Sequence, residues 1–543
     1  MGYYTLITIL FILLSSPVLH SQTAEEFFYR GNEKSEKGDY YGAIEEYSKS
    51  IELEPNFSGT YNNRGNTYLI LKKYPEAIND YSKAIELKPD YTSAFYNRGI
   101  SYLALKQYED AAKDFSSAID LKKGYVAAFY NRGTCLYALK KYDDAIADYT
   151  RAIELTLNYA DAYYNRGNVY FDMKNYEDAV KDFSKVIQLK PDFTDAYYKR
   201  GIISLQSKIY DSAIVDFTRV VSLDQDNKDG YFNRAAAFSE LKKLPEAIKD
   251  FTKVIELKPD FPDAYYRRAN LLFDLGKLED AVKDYSKVVQ LVPDRSDAYY
   301  NRGMAYYKLE KYEDAVSDFT RVLELRPDDA DSYFSRAEAY MELKKYEEAV
   351  NDYSKAIEMK PDDAVTYNNR GYAYEELNKY DDAVKDYSKA IDIKPDYELA
   401  LRNRANIYIS LQKYEEAIKD FTKTLELNQT DYLVYLKRGF SYYMLKKYEL
   451  SLDDLLKAYE INPGDPQILI LQGHIHSELE KYDDALSDYT KSIELDPTQI
   501  NAYAGKGKVE IKLGKTGDAC KDLKKAQEMG ATDLDELIKS NCK

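Results

Sequence analysis

Along almost the whole chain, small, apolar and polar residues return with one spacing. In Ser296–Asp329 (SDAYYNRGMAYYKLEKYEDAVSDFTRVLELRPDD), Tyr299, Gly303 and Tyr306 fall four and three residues apart. Ala315, Phe319 and Val322 repeat that spacing further on. Such steps put each set on one face of an α-helix, so the stretch predicts two short amphipathic helices. Pro327 ends the second, because a proline cannot continue the helical hydrogen bonds. The Arg302-Gly303 pair returns at Arg268-Ala269, Arg336-Ala337 and Arg370-Gly371, always 34 residues apart, and the register runs from Arg30-Gly31 to Arg438-Gly439. Weaker copies at Gln472-Gly473 and Lys506-Gly507 complete fifteen units, 24–57, 58–91 and so on to 500–533, without insertion or deletion. A period of this length marks a repeat array.

With positions counted from 1 to 34 in each unit, position 8 is always Gly or Ala, and position 20 is Ala except at Ser451. Position 24 is Tyr or Phe in most units, so small residues face large rings where the helices approach. A helix of about 13 residues is marginal alone. Each hairpin must therefore bury its apolar face against its neighbours, which makes a quasi-one-dimensional solenoid.

The aromatic–Gly–Tyr…Ala–aromatic–small–Pro pattern resembles the tetratricopeptide repeat (TPR) family. The resemblance covers all but the first 23 and last 10 residues. It implies an all-α TPR solenoid, a right-handed superhelix of antiparallel helix pairs, with 534–543 as a C-terminal capping helix. The family's usual Trp at position 4 is replaced by Tyr or Phe (Tyr61, Phe95, Tyr163, Tyr299) and by Leu401 and Leu469; its Leu at position 7 is Arg in units one to thirteen.

That Arg faces an acid at position 23 of the same unit, as in Arg64 with Asp80, Arg302 with Asp318 and Arg370 with Asp386, and an ion pair within each repeat is expected. Position 6 is Asn in eight units: Asn63, Asn97, Asn131, Asn165, Asn233, Asn301, Asn369 and Asn403. In TPR proteins the first helices line the concave surface, and this row is similar to the asparagine ladder of O-linked N-acetylglucosamine transferases, which holds extended peptide backbone. A carboxamide offers donors and an acceptor, which suits main chain of any sequence. The other reading makes these residues solvated, or paired within the array. Beside them stand aromatics at position 5 (Tyr96, Tyr130, Tyr164, Tyr198, Phe232, Tyr266, Tyr300, Phe334) and acids at position 2 (Asp161, Asp195, Asp229, Asp263, Asp297, Asp331). The resemblance thus implies a partner-binding groove of rings, amides and carboxylates; the acids also suit the dipole of the helix starts they occupy. The family's clamp for acidic chaperone C-termini is rejected. Its nearest match, Arg402, Asn406 and Lys437, is followed by Gln467 and Leu471 where basic residues belong.

The formal net charge of −17 argues against nucleic acid as a partner. The 57 Tyr residues mostly occupy fixed repeat positions and read as packing. Leu6–Leu14 (LITILFILL), broken by Ser15-Ser16-Pro17, reads as a signal peptide cut near Ser21-Gln22, with 1–21 removed, or as an uncleaved anchor. The repeats are then exported to a periplasm, cell envelope or the exterior, with membrane contact only through an uncleaved leader. An oxidising compartment would let Cys520 and Cys542 staple the cap to the last hairpin, while Cys135 reads as a buried free thiol. Units thirteen to fifteen drift: Leu450–Leu456 carries Ser451 and Leu455 where Ala and an aromatic stand elsewhere, and Ile468–Leu471 is unusually apolar and offers a second candidate surface. His474 and His476 point in different directions on a helix and make a poor metal pair. No enzyme site, metal or cofactor is expected. The first functional reading is a scaffold binding an extended peptide or partner protein in the groove; the alternative is a cell-envelope glycan-binding protein using the Tyr rows.

Overall fold

The computed structural model describes residues 23–542. The expected leader, 1–21, lies outside the described residues. Among these, secondary structure is helical throughout: thirty-one helices, from Ala24–Glu36 to Asp535–Asn541. They follow the 34-residue register. A first helix of 13 residues, such as Ser296–Lys308, precedes a second of 14, such as Tyr312–Leu325. The described residues divide into two compact units, one up to Ala264 and one from Tyr265, each a stack of hairpins in which consecutive helices pack together. None of the described helices is long and apolar enough to cross a membrane.

Local chemistry sets the hairpin. The first helices end in a left-handed residue at position 15, Lys72 (φ 57°) in one repeat and Gly276 (φ 71°) in another. The next amide then reaches back to close the end: Lys73 N–H donates to the Tyr68 carbonyl at 2.8 Å, a Schellman-type termination. Pro75 and Pro245 occupy the first turn of second helices, where no N–H is needed.

The core runs as a seam through each unit. Ala315 and Phe319 are fully buried, and a Cβ on Gly303 would sit 2.9 Å from the Phe319 ring. The same small-against-ring packing recurs at Gly65 with Tyr81 and Gly167 with Phe183. Ile468–Leu471, expected as a candidate surface, belongs largely to this core, with the four side chains 0–7% exposed. Ile468 and Leu471 cluster with Leu455, Ala458 and Ile475 across the junction of repeats thirteen and fourteen.

Candidate interaction surface

Position 7 is organised around a buried charge. In repeats two to thirteen the Arg guanidinium grips the position-23 Asp with two parallel bonds; Arg302 Nε and Nη2 lie 2.8 and 2.7 Å from the Asp318 carboxylate. The expected ion pair is present, and it has a third arm. Arg302 Nη1 donates to Ser286 of the preceding repeat at 3.0 Å, as Arg64 does to Ser48 and Arg166 to Thr150. The guanidinium also lies over the Tyr299 and Tyr306 rings, 5.4 and 5.9 Å from their centroids. Burial pushes the Asp318 carboxyl above the ordinary carboxylate range, and the bonds from Arg302 pull it back. The signal for the third arm stood in the sequence as a hydroxyl residue at position 25.

All eight ladder amides donate to the first helix of the preceding repeat. In the first unit, Asn131, Asn165 and Asn233 donate to the Tyr96, Tyr130 and Tyr198 hydroxyls at 2.9, 2.9 and 3.2 Å. Asn63 and Asn97 reach Asn32 and Asn66 at 2.9 and 2.8 Å. In the second unit, Asn301 reaches the Tyr266 hydroxyl at 3.0 Å, Asn369 reaches Glu338 at 2.9 Å and Asn403 reaches Asn368 at 3.3 Å. The row therefore joins repeat to repeat. Each carboxamide is half-buried; Asn63 and Asn369 also accept from Asn62 and Asn368, Asn233 also donates to the Asp229 carbonyl and Asn301 to Asn270, while Asn97, Asn131 and Asn165 keep more of their two N–H groups and two lone pairs.

The acceptors at position 9 are shared with position 24. Tyr81 donates its hydroxyl to the same Asn66 oxygen at 2.8 Å, and Tyr285 does so to Asn270 at 2.6 Å. Tyr149 finds Thr134, and Tyr353 finds Glu338. Where position 24 is Phe, position 9 is often apolar, as in Ile100 with Phe115, Ile202 with Phe217 and Met304 with Phe319. Asn168 breaks the pairing: its ring partner is Phe183, and the Asn168 oxygen is buried without a hydrogen bond.

The position-5 rings are packed rather than open. Tyr96 lies 5.7 Å from Phe115 and 4.8 Å from Tyr125; Tyr130 and Tyr164 are held in the same way, and Tyr300 packs on Phe319. Burial raises the Tyr96 and Tyr130 hydroxyls above the usual tyrosine range, with the Asn131 and Asn165 bonds opposing. Among the position-2 acids, Asp161 pairs with Lys190 at 2.8 Å and Asp297 with Arg295 at 3.1 Å. Asp195 and Asp263 are exposed at their helix starts.

In the last repeats the pattern is rebuilt. Gln472 replaces the Arg, and Leu456 replaces the hydroxyl it would have bonded. Asp488 turns instead to His476, 2.7 Å away, and in the next repeat Asp522 pairs with Lys506 at 2.8 Å. Arg402 is held by Asp431 at 3.2 Å, and Lys437 donates to Asn406 at 2.8 Å, so the nearest match to the chaperone clamp is engaged within the chain. Cys520 and Cys542 form a disulfide with Cα atoms 5.4 Å apart, fastening the last helix. Cys135 is a buried free thiol, and burial pushes it up to about 12.

Family profiles described as "Tetratricopeptide repeat" match residues 92–125, 160–193, 300–364, 364–397, 399–431 and 466–499, and one described as "TPR repeat" matches 31–72, 65–106, 134–174, 237–276 and 269–310. No curated protein matches the chain in sequence. Among solved structures, the chain is similar to YrrB, described as a TPR protein with an unusual peptide-binding site (26% identity, 34% of this chain and 95% of that one, TM-score 0.32). It is also similar to the MamA protein (25%, 31% and 92%, TM-score 0.31) and to a tetratricopeptide repeat protein from Parabacteroides merdae (20%, 46% and 98%, TM-score 0.34).

Proposed function

The chain belongs to the tetratricopeptide repeat family, and we propose that it works as a protein-interaction scaffold that holds an extended peptide or partner protein along the face of its first helices. The observation that carries this is the row of half-buried carboxamides at one helix position, each anchored to the previous repeat, by one bond in most repeats and by two at Asn301. Anchoring fixes the amide plane, so the remaining donors and acceptors are pre-set for a strand of main chain laid across them. The packing of the position-5 tyrosines weighs against the glycan reading, because stacking on a sugar needs a free ring face. The test is retention of a library of random dodecapeptides by the full chain and by a variant with Asn97, Asn131, Asn165 and Asn301 changed to Ala, with helicity followed by circular dichroism. Loss of retention at unchanged helicity supports the reading. Equal retention by both proteins refutes the role of the ladder.

We also propose that the scaffold is exported. The apolar run Leu6–Leu14 and the Cys520–Cys542 disulfide support this, since structural disulfides persist in oxidising compartments. Fractionation of the source cells, with thiol labelling of Cys520 and Cys542, checks it: labelling without reductant in a cytoplasmic fraction overturns it.

A further inference from the structure

The first-helix face changes character at repeats thirteen and fourteen. Positions 5, 6 and 9, which carry rings and amides earlier in the array, become Leu436, Lys437 and Phe440, then Ile470, Leu471 and His474. Together they line an open cleft of about 530 Å³, within the range of ligand-binding pockets. Its aliphatic and aromatic lining comes from three consecutive first helices, and Asn406, Ser410, Gln467 and Asn501 add polar groups. Lys437 is the charged member of the lining. Its ammonium has three N–H donors, and the bond to Asn406 at 2.8 Å uses one of them.

We propose that this cleft takes one bulky aliphatic or aromatic side chain of an extended peptide, with an internal acidic residue beside it meeting Lys437. The proposal rests on the scaffold reading and names the partner chemistry for one stretch of the same face. Charge complementarity sets the sign. A half-buried ammonium beside Leu436, Phe440 and Leu471 is held away from water, and an anion restores what the apolar walls remove. Burial, with Arg402 nearby, lowers Lys437 below the ordinary lysine range, as expected for a cation short of compensation. Asp431, engaged with Arg402, and Glu375 offset this in part, and the balance still leaves Lys437 lowered. Burial, with Lys508 nearby, lowers the His474 imidazole, which stands between Tyr443 and Tyr489, below the ordinary histidine range and so disfavours a competing charge there. The cleft differs from a two-carboxylate clamp: one cation stands over an apolar floor, so the apolar side chain is the anchor and the acid sets orientation.

The experiment selects random dodecapeptides on the full chain, then measures the enriched sequences on the wild type, Lys437→Gln and Lys437→Glu. The expected result is enrichment of Asp or Glu next to Leu, Ile, Phe or Met. Affinity should fall roughly 10- to 100-fold in Lys437→Gln, the value of a hydrogen bond to a charged group. In Lys437→Glu the acidic preference should turn basic while the apolar one persists. Peptides that bind through the ladder with no acidic–apolar pair, or with affinity indifferent to both Lys437 variants, overturn this inference and leave the scaffold reading standing. Retention of no peptide by the wild type overturns both.

Discussion

Phe183→Tyr should stabilise the fifth repeat, against the usual direction of a core substitution. In the second and eighth repeats the ring at the equivalent place is a tyrosine whose hydroxyl donates to an asparagine oxygen, Tyr81 to Asn66 at 2.8 Å and Tyr285 to Asn270 at 2.6 Å. In the fifth repeat the asparagine is present and the hydroxyl is not, so the Asn168 oxygen is buried without a donor. An unsatisfied buried acceptor costs about 1–3 kcal/mol, and a formed bond contributes a net 0.5–1.5 kcal/mol. Adding the hydroxyl should therefore gain about 1 kcal/mol, after its own loss of solvation. Long repeat arrays do not unfold in one step, so a single melting temperature is the wrong readout. Hydrogen exchange with mass spectrometry on the full chain reads the effect locally. Amides in 160–205 should exchange about fivefold more slowly, the equivalent of 1 kcal/mol, with distant repeats unchanged. The converse, Tyr81→Phe, should cost less than 1 kcal/mol, because Asn97 still donates to Asn66 at 2.8 Å. Unchanged or faster exchange in Phe183→Tyr would refute the pairing of positions 9 and 24.

Other outcomes follow from the same geometry. Arg302→Ala should cost about 3–5 kcal/mol in local exchange around 296–325, because it strands the buried Asp318 charge. The double change Arg302→Met with Asp318→Leu should cost much less, because the burial of charge that opposes the pair is removed with it. Cys520→Ser should release the last helix: the bridge spans 22 residues and contributes about 3 kcal/mol in the chain-entropy account, read as loss of protection in 535–541. Glu510 gives the last repeat a pH dependence. Burial, reinforced by Asp522, raises its carboxyl from 4.5 in the unfolded chain to about 7 in the folded one. Its contribution is therefore fully present below about pH 4.5 and is lost as pH rises through about 7. Protection of 500–528 at pH 5 relative to pH 8 should be larger in the wild type than in Glu510→Gln.

The hairpin register, the small-against-large packing and the Arg–Asp pair were legible in the sequence because each depends on spacing within one repeat. The bonds between repeats were harder to read. Whether Asn131 meets Tyr96, 35 residues away, depends on how successive hairpins stagger, and spacing inside a unit does not report that. The sequence left the ladder with two readings, and the structure adds that each amide already holds its neighbour. Ile468–Leu471 serves both core and surface: Ile468 and Leu471 pack in the core across the junction of repeats thirteen and fourteen, while Ile470 and Leu471 also line the open cleft.

The most direct measurement is site-specific crosslinking in native material, with a photoreactive residue placed once at Tyr164, on the first-helix face, and once at Lys181, exposed on a second helix. The account predicts a discrete partner adduct from position 164, absent from position 181 and lost when Asn97, Asn131 and Asn165 are changed to Ala. An adduct from position 181 alone, or one from 164 that survives the ladder changes, would contradict it.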